Sequence, residues 1–319
     1  MNVQAPNRHY DRFDPQAKAK RIGVTGLRLD RLQPFFTHGL LSTEMLHALA
    51  EPHRVQNYTT QELCRLKRIP NSYLDQPEAQ QDTMDARYNR LIYRLSLRGL
   101  EALLAAGRIT PEDAQLFLDL RGQYKQNQFW HDAATSYITA SIELGCKQLG
   151  LQFLSAYDIL RGKGLTSLAI PFQKSHLIPD ALFGISDRTS ITYYALETDM
   201  GSEQLEANQL KHSTLTKKYL GYRVMWSHEL YQDVYGIPSL KLLIVTTKHL
   251  RLENIKTTFK NIAREDTQSS GIGPVYLKCF PALERHERLS LPSTGIMLTD
   301  PWHRVTKEPT TIFKTKAAV

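Results

Sequence analysis

The chain has 319 residues, of which 41% are hydrophobic, with 17 glycines and 15 prolines, so its composition is globular and its length favours two domains. A formal net charge of +8 favours an anionic partner, most often nucleic acid. Three widely spaced cysteines argue against a disulfide framework or a structural zinc site, and the lack of a long apolar run argues against a membrane span, so we expect a cytoplasmic protein.

The first third of the chain predicts a polar arm followed by three helices. Residues 1–24 are interpreted as a flexible basic arm, either inert or in contact with DNA phosphates. Within residues 25–108, a cap signal at Ser42 begins the second helix, and the third helix is expected to start at Thr59 and to stop before Pro70. A short extended piece follows. This order is typical of a winged helix-turn-helix domain, in which the third helix enters the major groove of DNA and the wing contacts the backbone.

The predicted DNA-binding surface combines the third helix with the wing. The expected contact residues are Thr60, Gln61, Arg65, Lys67 and Arg68 from the helix and Arg90, Arg94 and Arg98 from the wing. Because the last three are spaced four residues apart, a solvated helix face is the alternative interpretation. Double-stranded DNA is the expected partner, and a homodimer is left open.

The rest of the chain predicts a linking helix and a domain of mixed helices and strands. Residues 109–130 are the predicted linking helix, with Thr110 as its cap and Pro111 in its first turn. Over residues 131–290 the pattern predicts, in order, a helix to Leu149, strands at 167–172, 181–185 and 191–196, a helix at 202–219, strands at 222–226 and 240–246, a helix at 250–262 and a strand at 275–280. We expect an α+β or α/β fold with a mixed central sheet flanked by helices. Residues 291–319 are expected to be an irregular, peripheral extension.

Acidic residues stand at the ends of two of these strands. Asp180 precedes the first strand, while Glu197 and Asp199 end the next one and point to the same face because they are two residues apart. Clustered carboxylates need a cation, a proton or a basic partner, and hard oxygen ligands suit Mg²⁺ or Mn²⁺. The structural alternatives are a turn residue at Asp180 and stabilisation of a helix start by Glu203.

The strand order and these acidic positions resemble the core of PD-(D/E)xK nucleases. The resemblance implies that Asp180 and Glu197 bind Mg²⁺ and that a lysine stands two residues after Glu197. Asp199 occupies that position instead, so either hydrolysis is abolished or a basic group comes from elsewhere, such as the following helix. The candidates for it are Lys211, Lys217 and Lys218. The catalytic set expected on this resemblance is Asp180, Glu197, Asp199, Glu203 and Lys218, assisted by Glu143 from the first helix. None of the histidines shows paired ligand spacing, so we expect surface or capping roles for them. His131 is the strongest exception to that expectation because it precedes the first helix.

A longer pattern is more specific. Its segments are Pro179-Asp180-Ala181-Leu182-Phe183, Leu196–Glu203, Lys218-Tyr219-Leu220-Gly221-Tyr222, Val245–Lys248, Arg251–Asn254 and Tyr93–Ser96. With these segments the chain resembles, over about residues 30 to 285, the replication-relaxation family of plasmids and other mobile elements. The resemblance implies a DNA-associated role in replication, mobilisation or nicking, together with other proteins of those processes. The two main expected functions are a Mg²⁺- or Mn²⁺-dependent DNA endonuclease or nickase, and a non-catalytic DNA-binding accessory or regulatory factor with a degenerate nuclease-like domain. An RNA-directed role is the third possibility.

Overall fold

The computed structural model of the protein describes residues 21–81, 91–121, 128–172, 175–200, 214–265, 271–283 and 294–313. Its N-terminal unit contains α1 (Gly26–His38), β1 (Leu41–Ser42), α2 (Thr43–Ala50), α3 (Gln56–Lys67), β2 (Leu74–Asp75), β3 (Ile92–Leu95) and α4 (Leu97–Ala105). The three strands form an antiparallel sheet in the order β1-β3-β2. The apolar side chains of the helices pack over this sheet, so the N-terminal unit has a buried core.

A buried ionic network fixes the three helices of the N-terminal unit relative to one another. The guanidinium of Arg31 on α1 is 1% exposed and donates two hydrogen bonds, of 2.7 and 2.8 Å, to the carboxylate of Glu51 at the end of α2. Glu51 also accepts a hydrogen bond of 3.2 Å from the hydroxyl of Thr59 on α3. Thr59 is therefore an interior residue of the helix, and α3 begins three residues before the predicted start, at Gln56. The predicted end before Pro70 and the cap at Ser42 are confirmed.

The linking helix is shorter than predicted within the described residues. Helix α5 spans Pro111–Arg121, and the hydroxyl of Thr110 accepts a hydrogen bond of 3.1 Å from the backbone N–H of Asp113, which confirms the predicted cap. Residues 122–127 lie outside the described residues. Asp113 is in turn bound by Arg161, so the start of α5 is attached to the second half of the chain.

The second half of the chain, the sheet unit, is built around one six-stranded sheet. Its elements are α6 (Phe129–Leu149), β4 (Gln152–Leu154), α7 (Ala156–Leu160), β5 (Ile170–Phe172), β6 (Ser175–Leu177), β7 (Ala181–Ser186), β8 (Ile191–Asp199), α8 (Thr214–Ser227), α9 (Leu230–Tyr235), β9 (Lys241–Thr246), α10 (His249–Glu265), β10 (Val275–Cys279), α11 (Ile296–Thr299) and β11 (His303–Arg304). The strand order is β11-β10-β9-β8-β7-β4. Strands β8, β9 and β10 are parallel and the other pairs are antiparallel, so the predicted mixed sheet is confirmed.

Helices cover both faces of this sheet. Along β8 the hydroxyl of Thr198 lies 2.9 Å from that of Thr135 on α6, whereas the neighbouring Glu197 contacts Tyr222 on α8. Because successive strand residues point to opposite faces, α6 and α8 lie on opposite faces of the sheet. Helices α1 and α2 pack on α6, and one buried apolar core continues from the N-terminal unit into the sheet unit. The domain boundaries given above therefore stay predictions.

Two predictions for the sheet unit are wrong, and a third is confirmed only in part. Residues 222–226 belong to α8, because Tyr219, Tyr222 and Met225 are all fully buried at helical spacing. The strand predicted at 167–172 is only β5, which pairs with β6 in a separate ribbon. The described part of the C-terminal extension is not irregular. There α11 packs on α6, β11 adds to the edge of the main sheet, and Trp302 is completely buried.

No helix in the described ranges is both long enough and apolar enough to cross a membrane.

Strand β9 supplies the centre of the sheet, and residues 242–245 are at most 1% exposed. We expect Leu243→Ala to lower the free energy of unfolding by about 2–5 kcal/mol, because a completely buried side chain is replaced by a cavity. The matched control is Leu250→Ala, at a position 74% exposed on α10, which should change stability by less than about 0.5 kcal/mol. Urea denaturation of both variants measures the difference, and equal losses would contradict this placement of β9.

Candidate functional site

Asp180 stands at the edge of the sheet where β7 begins and β8 ends. Its backbone N–H donates to the carbonyl of Leu196, which holds it beside β8. Its Oδ2 accepts a hydrogen bond of 2.7 Å from the backbone N–H of Thr198 and lies 3.1 Å from Nε2 of His131, in the first turn of α6. The structure therefore gives Asp180 a defined set of donors, and His131 joins the site that its sequence position suggested.

Glu197 and Asp180 converge on one ammonium group. Nζ of Lys218 lies 3.0 Å from Oδ1 of Asp180 and also donates to Oε2 of Glu197. The hydroxyl of Tyr222 donates to the other oxygen of Glu197 at 2.8 Å. Lys218 and Tyr222 lie on one face of α8 because they are four residues apart. Of the three candidate lysines, the structure brings Lys218 to the carboxylates, while Lys217 is exposed and Lys211 lies outside the described residues.

The pKa values of the two carboxyl groups are shifted in opposite directions. Burial, together with the charge of Asp180, raises the pKa of Glu197, against the opposing effect of Lys218 and Tyr222. Burial acts in the same direction on Asp180, but the hydrogen bond from His131 and the charge of Lys218 hold its pKa below the usual value. Asp180 is therefore the permanent anion of the pair, and Glu197 takes up a proton more readily.

The cations of the site are held in their charged forms. Burial acts to lower the pKa of His131, but its hydrogen bonds to Asp132 and Asp180 raise it to about 10. Burial also opposes the charge on Lys218, and the two carboxylates nevertheless raise its pKa. An ammonium and an imidazolium thus compensate the acidic residues at this edge of the sheet.

Asp199, at the position where the resemblance predicts a lysine, forms a separate ion pair. Its Oδ2 accepts a hydrogen bond of 2.7 Å from Nε of Arg251 on α10, and both side chains are largely buried. Asp199 and Glu197 lie on the same face of β8, as predicted, but different helices provide their basic partners. Sequence reasoning assigned no role to Arg251 or Tyr222; the spacing of four residues from Lys218 is the one signal that pointed to Tyr222.

Two other predicted residues are not brought to the site. Glu143 lies on α6 twelve residues after His131, about 18 Å along the helix, and its carboxylate binds His38 at 2.6 Å and Lys147 at 2.8 Å. Its expected role as an assisting acid is therefore wrong, because it connects α6 to the N-terminal unit. Glu203 lies outside the described residues.

The predicted DNA-binding residues occupy different environments. Gln61 and Arg65 lie on the exposed face of α3, where Arg65 also contacts Glu62, and Thr60 bonds back to the helix backbone. Lys67 contacts Gln76, and Arg68 ends α3.

Arg94 lies on β3 and pairs with Asp75 at 3.6 Å. Arg98 is in the first turn of α4, above the ring of Tyr73, so it does not belong to a wing. Arg90 lies outside the described residues.

The carboxylates of Asp180 and Glu197 are the side chains of the site that could bind a divalent cation. The described residues contain no group of three or more His, Cys, Asp or Glu side chains that could hold a metal ion. Mg²⁺ is nevertheless commonly bound by one or two carboxylates, with water and phosphate oxygens as its other ligands. Asp180 and Glu197 provide two such oxygens, and both face the Lys218 ammonium. They fit Mg²⁺ or Mn²⁺ if the ammonium moves away from them.

A comparison with known protein families finds one match. The replication-relaxation family matches residues 32–240, which include most of the N-terminal unit together with Asp180, Glu197 and Lys218. No curated protein and no solved structure matches the chain. Because the match covers well over half of its length, the chain belongs to the replication-relaxation family. Membership suggests a role in the replication or mobilisation of a mobile element.

The raised pKa of His131 is directly measurable. We expect its imidazole to titrate near pH 10 in NMR spectra, so that it keeps its proton through neutral pH and loses it only as the pH rises far above 6.5. Asp180→Asn removes one anionic partner and should lower this pKa, whereas Asp187→Asn, in the exposed turn after β7, should leave it unchanged. A wild-type titration close to pH 6.5 would contradict the ion pair.

Proposed function

We propose that the chain is a DNA-binding protein of a mobile element, active in replication or mobilisation, and that its sheet unit is a metal-dependent DNA endonuclease or nickase. The observation that carries this proposal is the convergence of Asp180, Glu197 and Lys218 at one edge of the sheet. Two carboxylates and a lysine are the functional groups of a PD-(D/E)xK site. Here the lysine comes from α8, while Asp199 occupies its usual place on the strand.

The N-terminal unit supports the assignment of duplex DNA as the partner. Its order of α1, β1, α2, α3, β2 and β3, with the antiparallel sheet β1-β3-β2, supports the predicted winged helix-turn-helix domain. On this assignment α3 is the recognition helix, and its exposed face presents Gln61 and Arg65. These side chains suit base edges or phosphates, and the net charge of +8 favours a polyanion.

Each side chain of the candidate site has a definable role in hydrolysis of a phosphodiester. Asp180 and Glu197 would hold the divalent cation, which supplies a water molecule of lowered pKa and neutralises charge on the phosphate. Lys218, released from the carboxylates, would donate to a phosphate oxygen or to the attacking water. Tyr222 fixes the orientation of Glu197, and His131 fixes that of Asp180.

A non-catalytic DNA-binding accessory or regulatory factor is the second candidate function. The specific observation in its favour is that Lys218 and His131 already compensate both carboxylates. Such an edge is stable without a metal ion, and Asp199 is bound by Arg251 in the same manner. In that case the sheet unit would serve DNA binding or assembly with other replication or mobilisation proteins.

Nuclease activity separates these two functions. We expect the wild type to nick or linearise supercoiled plasmid DNA in the presence of Mg²⁺ or Mn²⁺, and Asp180→Asn and Glu197→Gln to lower the rate by at least about 100-fold. Lys218→Ala should have a comparable effect. The matched control is Lys217→Ala, which alters the neighbouring exposed lysine and should leave the rate unchanged.

Gel electrophoresis of the plasmid forms measures the rate. Wild-type protein that binds the plasmid but shows no metal-dependent cleavage would contradict the nuclease and favour the accessory factor. Equal rates for the wild type and the Glu197→Gln variant would assign any observed cleavage to a contaminant.

The DNA interface has its own test. Arg65→Ala should weaken binding to a duplex and reduce the slope of log affinity against log salt concentration by about 1, because one cationic contact is lost. Lys260→Ala, which removes an exposed cation from α10, is the charge-matched control and should change neither quantity. Fluorescence anisotropy over a salt series measures both, and identical curves for the two variants would contradict the assignment of α3.

A further inference from the structure

A cleft connects the candidate site with the N-terminal unit. Its volume is about 580 Å³, and its walls come from the end of α1, from β3, from α5, from the start of α6 and from residues 178–183. Asp180 lies at one end, and the Asp75–Arg94 pair on strands β2 and β3 lies at the other. The cleft is therefore continuous with the site where we place phosphodiester hydrolysis.

The charges on its walls oppose a phosphate group. Among the described residues, four aspartates and one arginine, Arg94, line the cleft, and Arg94 is bound to Asp75. Asp180 is compensated by Lys218 and His131, so Asp119 and Asp132 are the aspartates that make the described wall acidic towards an entering anion. Lys218 and His131, the cations that suit a phosphate, lie at the Asp180 end instead.

The remaining wall suits a flat, uncharged ring. The ring of Phe153 is half-buried and stacks on Phe183, with their centroids 5.5 Å apart. Leu97 and Ile178 line the cleft and are 66% and 52% exposed. The hydroxyl groups of Thr135 and Ser136 on α6 also line the cleft, but both are buried and hydrogen-bonded within the protein. Apolar walls with a few polar groups, at a volume between about 300 and 1,000 Å³, are typical of a pocket for one small molecule.

We infer that this cleft receives an unpaired nucleobase of a strand whose phosphate lies at Asp180, Glu197 and Lys218. This inference rests on the proposed function and specifies its substrate as single-stranded or locally unpaired DNA. A duplex is too large for a cavity of this volume, whereas one base rotated out of the stack fits it. Phe153 provides the stacking surface, and the acidic walls keep the strand's phosphates outside.

Binding measurements on two forms of DNA test the inference. The probes are a fluorescein-labelled single-stranded oligonucleotide and the blunt duplex of the same sequence, followed by anisotropy with the full chain. Phe153→Ala should weaken binding of the single strand by about tenfold, because the stacking contact is lost, and should leave binding of the duplex by α3 unchanged. Phe153→Tyr keeps a ring and should restore the affinity for the single strand.

A second variant fills the cleft and leaves Phe153 in place. Leu97→Trp puts a larger side chain at an exposed position of the wall and should also weaken binding of the single strand alone. Its matched control is Leu250→Trp, at an equally exposed leucine on α10 outside the cleft. Thermal melting shows whether each variant is folded.

The possible outcomes distinguish failure of the cleft assignment from failure of the proposed function. Wild-type affinity of Phe153→Ala and Leu97→Trp for the single strand overturns the cleft assignment and leaves the proposed DNA binding intact. Equal losses for the single strand and the duplex also overturn it, because they indicate a general structural effect. If the wild type binds neither the single strand nor the duplex, the proposed function itself is overturned.

Discussion

The ammonium group of Lys218 between Asp180 and Glu197 is the interaction on which this structure depends. A buried carboxylate is costly unless a charge or hydrogen bonds compensate it, and Glu197 is only 2% exposed. Each main element contributes to that compensation: β7 and β8 bring the carboxylates to one edge, α8 supplies Lys218 and Tyr222, and α6 supplies His131. The same contacts stabilise the fold and assemble the candidate site, so the proposed nuclease chemistry would require a metal ion to replace the ammonium group.

Helix α6 joins this site to the N-terminal unit. Its first turn carries His131, which contacts Asp180, while the hydroxyl of Ser136 accepts a hydrogen bond from the backbone N–H of Leu40 and donates one to the carbonyl of His38. Further along, Glu143 binds the ring of His38. One rigid helix therefore sets the distance between α3, where we place duplex binding, and the acidic edge of the sheet. The cleft lies along this helix, so a strand that leaves the duplex would reach Asp180 beside it.

The sequence predicted those parts of the fold that depend on residues close to one another in the chain. Strands β7 and β8, the acids at their ends and the cap at Thr110 followed from short apolar runs and residue types. The strand predicted at 222–226 is wrong. Its aromatic residues favour strands in isolation, but in the structure they belong to α8, because their burial against the sheet favours the helix. The family resemblance favours Lys218 over Lys217 and Lys211, and only the register of α8 gives the physical reason for that choice. The pairing of Asp199 with Arg251 spans 52 residues of sequence, and Trp302 is buried beside the distant Lys278 of β10, so neither carries a local signal.

A crystal structure with Mn²⁺ and a single-stranded oligonucleotide, examined by anomalous scattering, would show whether the carboxylates exchange the ammonium for a metal ion. We expect one manganese peak bound by both Asp180 and Glu197, with the Lys218 ammonium displaced from their oxygens towards a phosphate of the strand. An ammonium group that stays between the two carboxylates at saturating Mn²⁺, with no peak at this edge of the sheet, would contradict a metal-dependent nuclease.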